Sequence, residues 1–238
     1  MTRFQAIIFD LDGVLLDSEQ VAIDVSCLAA ENAGYSIPRD FWLSTVGHAA
    51  EQIRLLFPAT FGGPDAFDEL QVVIDALYVT RVTELGPRIV RSGVRDLLGE
   101  LAARSVPCAV ATSSQRSWAE SCLRTSELLP NFKVVVGRDD AGAPKPNPGV
   151  FRLAASRLGI APEACIVLED SETGISAAAS AGMHSILVPD LQPPSFTARR
   201  QAHAVFASIP AAIPYVISLL GTTDTITENY PKRCLSAA

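Results

Sequence analysis

The sequence predicts a doubly wound parallel α/β sheet with an α-helical unit inserted after its first strand. Three observations carry this. Unbroken apolar runs such as Ala6-Ile7-Ile8-Phe9 and Cys165-Ile166-Val167-Leu168 suit strands buried on both faces of a parallel sheet. From residue 93 onward such runs alternate with stretches of helical spacing, the rhythm of a doubly wound sheet. Residues 18 to about 86 show helical spacing alone, with no convincing strand. The expected division is a core of residues 1–17 and 87–222, a helical insertion of 18–86, and a polar tail of 223–238.

The first strand stops abruptly at Asp10, skips one residue to Asp12 and turns at Gly13. Side chains two apart on a strand point the same way. Asp10 and Asp12 therefore project together from the carboxyl end of the strand, where open α/β sheets place their ligands. Two uncompensated carboxylates side by side are unfavourable and call for a bound cation. A solvated acidic turn is the alternative.

In the insertion, Ser18 is placed to cap a helix running through Val21, Val25 and Leu28, with Gly34 as its stop. Pro38 starts a second short helix that ends near Gly47, and residues 49–57 form a third. From residue 65 to 85, Phe67, Leu70, Val73, Ile74, Leu77 and Val82 recur at helical spacing.

Beyond the insertion, residues 93–104 form an amphipathic helix and 107–111 a short strand ending in Thr112-Ser113-Ser114. A helix over 116–126 leads to a strand at 133–136 and a Gly/Pro-rich loop around Lys145. A helix over 148–158 is followed by the strand ending in Glu169-Asp170, then a small-residue helix over 173–181. A strand at 185–188 closes at Pro189. A weaker strand at 204–206 and a helix over 211–220 complete the order.

Composition narrows the function. The 238 residues carry a net charge of −7, which disfavours nucleic acid and anionic membrane surfaces as partners. Lysine occurs only at 133, 145 and 232. The five cysteines are odd in number and form no Cys-x-x-Cys pair, so buried thiols in a reducing compartment are expected rather than zinc. No signal peptide and no run of about 18 apolar residues stands out, so a soluble cytoplasmic protein is expected.

Polar groups gather at four strand-to-helix junctions: Asp10/Asp12, Thr112-Ser113-Ser114, the Lys145 loop and Glu169-Asp170. Each has a local alternative. Thr112 or Ser113 is equally a helix N-cap, Lys145 an exposed loop lysine, and Glu169-Asp170 an N-cap pair favoured by the helix dipole. Their types are nonetheless complementary. Hydroxyls and a lysine suit phosphate oxygens, while grouped carboxylates suit Mg²⁺ and its waters.

Together these motifs resemble those of the haloacid dehalogenase-like hydrolases, in the branch of small-sugar phosphatases and β-phosphoglucomutases with a helical cap. They read Asp10-x-Asp12-Gly13-Val14, Ala111-Thr112-Ser113-Ser114, Lys145-Pro146-Asn147-Pro148 and Leu168-Glu169-Asp170-Ser171-x-x-Gly174, in the family's order. The resemblance runs to about residue 220. It implies a Rossmann-like core and a Mg²⁺-dependent enzyme acting on a small phosphorylated substrate, as a monomer or small homo-oligomer. By that resemblance Asp10 is the nucleophile, Asp12 the general acid and base, and Thr112 and Lys145 hold the transferring oxygens. Asp10, the Asp12 backbone carbonyl and Asp170 would ligate Mg²⁺, with Glu169 close by or one shell out.

Departures from the family narrow the activity. Dehalogenases lack the second aspartate, and phosphonatases need a cap lysine that residues 18–88 do not contain. β-Phosphoglucomutases carry a cap histidine just after the first motif, and a cap arginine and lysine. Here those positions read Gln20-Val21-Ala22 and Val46-Gly47-His48-Ala49-Ala50, which favours a phosphatase over a hexose-phosphate mutase. A response-regulator receiver would be shorter and lack the insertion, and a silent binding module would not need all four motifs intact. For substrate contacts, His48 is the first choice in the cap, ahead of Trp42, Glu51, Gln52 and Arg54. Ser113, Ser114 and Arg116 are the candidates on the core side.

Overall fold

The computed structural model describes residues 4–46 and 50–221. Six strands form one all-parallel sheet: β1 (Ala6–Phe9), β2 (Cys108–Ala111), β3 (Val134–Val136), β4 (Cys165–Glu169), β5 (His184–Leu187) and β6 (Ala204–Val205). Their order is β3-β2-β1-β4-β5-β6. β1 lies at the reversal of strand order, with Ile8 between Ala109 on one side and Val167 on the other. All four of its residues are fully buried, which is why it reads as a continuous apolar run.

Eleven helices are described. α1 (Ser18–Asn32), α2 (Arg39–Ser44), α3 (Ala50–Leu56) and α4 (Gly63–Leu85) lie between β1 and β2. The others are α5 (Val94–Ala103), α6 (Arg116–Thr125), α7 (Arg138–Ala141), α8 (Gly149–Leu158), α9 (Glu172–Ala181), α10 (Phe196–Gln201) and α11 (Ile209–Leu220). One sheet face packs Ala6 and Ile8 against Phe151, Ala154, Ala177 and Ala178 of α8 and α9. The opposite face packs Ile7 and Phe9 with Leu97 and Leu101 of α5, Leu123 of α6 and Val216 of α11. Helices on both faces make the sheet doubly wound, as the sequence predicts.

In the helical insertion α1 packs along α4, and Phe41, Trp42, Phe57 and Phe61 form an aromatic cluster with ring centroids 5.3–6.1 Å apart. The two chain segments that join it to the sheet run side by side. Asp17 N–H donates to the Ile89 carbonyl at 2.9 Å, and Arg91 N–H to that of Leu15 at 3.0 Å.

Four local expectations differ. Ser18 is the first residue of α1, not its N-cap; Asp17 holds that position without a side-chain bond, because the Ser18 hydroxyl is used elsewhere. α7 and α10 are not foreseen, since helices of four and six residues are too short to show a 3.6-residue period. The N-cap of α6 is Gln115, so neither Thr112 nor Ser113 caps it. The N-cap of α9 is Ser171, whose hydroxyl accepts the Gly174 N–H, so neither Glu169 nor Asp170 holds the cap position. Cys108, Cys122 and Cys165 are buried thiols, pushed up to about 12, 12 and 11 by burial. No helix among the described residues is long and apolar enough to cross a membrane.

Candidate active site

All four polar junctions meet at the carboxyl edge of the sheet, around Asp10. Lys145 is not an exposed loop lysine. Its side chain is 4% exposed, and its Nζ contacts Asp10 Oδ1 and donates to Glu169 Oε1 at 2.6 Å. Glu169 is itself fixed. Its Oε2 accepts the backbone N–H of Asp170 (2.9 Å), that of Ser171 (2.8 Å) and the Ser171 hydroxyl (2.9 Å). Lys145 therefore lies between Asp10 and a Glu169 carboxylate that three further donors hold in place.

Asp12 is held by two hydroxyls. Ser18 Oγ donates to Oδ1 at 2.7 Å and Ser114 Oγ to Oδ2 at 2.9 Å. One serine comes from the insertion's first helix and the other from the turn after β2. Thr112, 1% exposed, accepts the Ser114 N–H at 3.0 Å, which leaves its own hydroxyl proton to donate.

Asp10, Glu169 and Asp170 bring carboxylate oxygens within 4.8 Å of one another. Burial raises the Asp10 pKa to about 7; Lys145 opposes the shift, and Glu169 and Asp12 add to it. Asp170 is raised for the same first reason, burial, with the charges of Glu169 and Asp10 next. Two glycines keep this space open. A Cβ at Gly13, where φ is +72°, would fall 2.1 Å from Asp170 Oδ2, and one at Gly174 would fall 1.7 Å from Glu169 Oε1.

A second acidic group adjoins the first. Glu19, Asp170 and Asp190 also place oxygens within 4.8 Å of one another. Burial lifts Glu19 to about 8, helped by the charges of Asp190, Asp12 and Asp10. Asp190 pairs with Arg91 at 3.2 Å, and Arg91 also pairs with Asp17 at 3.3 Å and donates to the Gly13 carbonyl. Arg91 thus ties both linkers to the loop after β5.

Above Asp12 a cavity of about 330 Å³ opens between the helical insertion and the sheet. Asp12, Ser18 and Ser114 form its floor, and α1, α4, Trp42 and Trp118 its walls.

The family model for haloacid dehalogenase-like hydrolases matches residues 4–182. The chain belongs to this family. A phosphorylated carbohydrates phosphatase of Thermotoga maritima is 32% identical over 190 residues, covering 76% of this chain and 83% of its own. A Drosophila melanogaster protein named "Probable pseudouridine-5'-phosphatase" is 31% identical over 229 residues, 91% of this chain and 95% of its own. The β-phosphoglucomutase structure from Clostridium difficile superposes with a TM-score of 0.72 at 23% identity, over 91% of this chain and 97% of that one, a likeness of fold. This haloacid dehalogenase-like hydrolase is a phosphoric monoester hydrolase, a phosphatase of small phosphorylated compounds.

Not every sequence candidate joins the hydrolase's site. Asp10, Asp12, Thr112, Ser114, Lys145, Glu169 and Asp170 converge, and Ser113 is exposed beside them. Arg116 turns away. Its guanidinium is taken by Glu120 at 2.8 Å and Asp140 at 3.8 Å, and it does not line the cavity. A helix surface charge with acidic neighbours one turn away pairs locally before it reaches a distant ligand. His48 lies outside the described residues. Sequence reasoning missed Asp190, although it follows the end of β5 and the rule that drew attention to the other strand ends applies to it equally. It also missed the contact of Ser18 with Asp12, because a Ser before a helical run reads first as a cap.

Proposed function

We propose that this phosphatase hydrolyses a small sugar phosphate in the presence of Mg²⁺ through an aspartyl-phosphate formed on Asp10. The observation that carries the reading is the pairing of two carboxylates with different environments. Asp10 is buried against the Lys145 cation, while Asp12 is steadied by two hydroxyls at the cavity floor.

In the first step an Asp10 oxygen attacks phosphorus and the bond to the leaving oxygen breaks, with Asp12 giving that oxygen its proton. In the second, Asp12 takes a proton from water as the water oxygen attacks the same phosphorus, releasing phosphate and regenerating Asp10. The Thr112 hydroxyl and Lys145 ammonium would hold the transferring oxygens, where negative charge must be offset.

Mg²⁺ fits the residues present, since three carboxylates within 4.8 Å of one another are a hard oxygen donor set. Asp10, the Asp12 carbonyl and Asp170 would hold the ion, and Glu169, already saturated by four donors, would support it from outside. When bound it would offset the repulsion between Asp10 and the phosphate, which is ~4 kcal/mol per unit charge pair at 4 Å and an effective dielectric of 20. The helices between β1 and β2 act as the cap that closes over the leaving group.

A mutase remains the second reading of the fold. It would need a cation to grip the far phosphate of a bisphosphate, and among the described residues none lines the cavity. The test is a phosphate-release screen over sugar, polyol and nucleoside phosphates, with Mg²⁺ and with chelator. Mg²⁺-dependent release without added bisphosphate, lost in Asp10→Asn, supports the reading. Release that survives Asp10→Asn would refute the nucleophile, and interconversion of two sugar phosphates would favour the mutase.

A further inference from the structure

Three carboxylates from three different elements meet beside the Mg²⁺ ligands of the proposed function. Asp170 follows β4, Asp190 follows β5, the strand paired with it, and Glu19 stands in the first turn of α1. One oxygen of each lies within 4.8 Å of the other two. Oxygens bound to one Ca²⁺-sized ion, each at about 2.3–2.6 Å, stand no more than ~5 Å apart, so the spacing fits a single coordination sphere.

Acidic groups are common without an ion, but this one holds a buried acceptor that no donor reaches. The Asp190 side chain is 8% exposed. Its Oδ1 pairs with Arg91 at 3.2 Å, whereas its Oδ2 is buried with no hydrogen-bond partner. An anionic oxygen taken out of water without a donor is costly, and a cation is its complement. Arg91 does not supply the whole charge, because it is shared with Asp17 at 3.3 Å. Lys145 is taken by Asp10 and Glu169. The proposed Mg²⁺ answers Asp10 and Asp170, and leaves Glu19 and Asp190 uncompensated.

We propose that Glu19, Asp170 and Asp190 form a second divalent-cation site, which joins the first helix of the insertion to the carboxyl edge of the sheet. A donor set made only of carboxylates suits a hard ion such as Ca²⁺, Mn²⁺ or Mg²⁺. The site shares Asp170 with the Mg²⁺ reading but needs no step of the phosphatase mechanism. Glu19 lines the cavity between insertion and sheet, which gives the ion a way in. Glu19 belongs to the insertion and the two aspartates to the core, so an ion held by all three ties the two parts together. Such an ion stabilises that seated arrangement by mass action.

The experiment counts Mn²⁺ on the full chain by isothermal titration calorimetry, with electron paramagnetic resonance on the same samples. The expected result is two Mn²⁺ per chain with a spin-coupled spectrum, since both ions touch Asp170. Asp190→Asn and Glu19→Gln, isosteric changes on different elements, should each weaken one ion at least tenfold and abolish the coupling. Asp10→Asn should weaken the other ion. A single Mn²⁺ on the unaltered protein overturns the proposal, and Glu19 and Asp190 then share a proton instead. Two ions that persist unweakened in both Asp190→Asn and Glu19→Gln overturn it as well. If Asp10→Asn leaves both ions in place, the Mg²⁺ ligand set of the proposed function fails, and the second site is still decided by the Glu19 and Asp190 variants.

Discussion

The hydroxyl of Ser18 donates to the carboxylate of Asp12 at 2.7 Å, across the point where the helical insertion leaves the sheet. Ser18 is 2% exposed and lines the same cavity as Tyr78 of α4. Removing that hydroxyl should cost catalysis more than binding. A hydrogen bond to a charged group contributes about 1.5–3 kcal/mol, and each 1.36 kcal/mol is about tenfold in rate. Ser18→Ala is expected to lower kcat about tenfold or more with KM little changed, and Ser18→Thr to recover much of it. Steady-state kinetics on any accepted phosphate checks this; a KM effect alone would show that Ser18 serves binding.

Gly174 gives a test in which two effects have opposite signs. Helix propensity alone would make Ala better than Gly in α9 by about 1 kcal/mol. The added Cβ, however, would sit 1.7 Å from Glu169 Oε1, an oxygen that anchors Lys145. Glu169 is 1% exposed and has no room to retreat. Gly174→Ala is expected to destabilise by about 1–3 kcal/mol net and to lower activity with it. A thermal melt that rises instead would mean the backbone gives way more easily than this packing allows.

Lys145 is the cation between two buried carboxylates. Breaking a buried pair by removing one partner costs about 3–5 kcal/mol, because charge is left uncompensated. Lys145→Met is expected to lose activity by about a hundredfold or more, the scale of losing one donor to developing charge. Its stability deficit should be smaller at pH 5 than at pH 8, since the orphaned carboxylates can then take up protons. Denaturant unfolding at the two pH values measures this, and an equal deficit at both would contradict the buried-pair account.

The carboxylate group sets the sign of the pH dependence. Burial raises Asp10 to about 7 and Glu19 to about 8, both from ordinary values near 4. Between about pH 4 and pH 8 the folded protein thus holds protons that the unfolded chain has released. Without divalent cations, stability should fall as pH rises through that window. Mg²⁺ favours the ionised carboxylates, so its stabilising effect should grow over the same range, with protons released on binding. Thermal melts from pH 5 to pH 8, with chelator and with Mg²⁺, check the trend. A Mg²⁺ effect larger at pH 5 than at pH 8 would reverse the assignment.

Much of the sheet was legible because fully buried parallel strands have no polar face to interrupt them. Ile7, Ile8 and Phe9 announce β1, and the abrupt change at Asp10 announces its end. Strand ends could be compared with one another, which gathered Asp10, Thr112, Lys145 and Glu169 before any distance was known. α7 and α10 were not legible, being too short for a period, nor was the turn of Arg116 toward Glu120 and Asp140. That turn depends on which neighbours are within reach, a matter of rotamer and packing.

The sequence by itself determined the doubly wound sheet, the helical insertion after β1 and the set of core polar residues, because these follow from periodicity and from the strand-end rule. Only the tertiary structure decided how those residues share their contacts. Lys145 lies between Asp10 and Glu169, and Asp12 lies between Ser18 and Ser114. It alone brought Trp42, Tyr78 and Trp118, far apart in the chain, around one cavity. The reason is physical. A strand's burial is written in its own few residues, whereas a pocket is made by side chains from helices that meet only after the chain has packed.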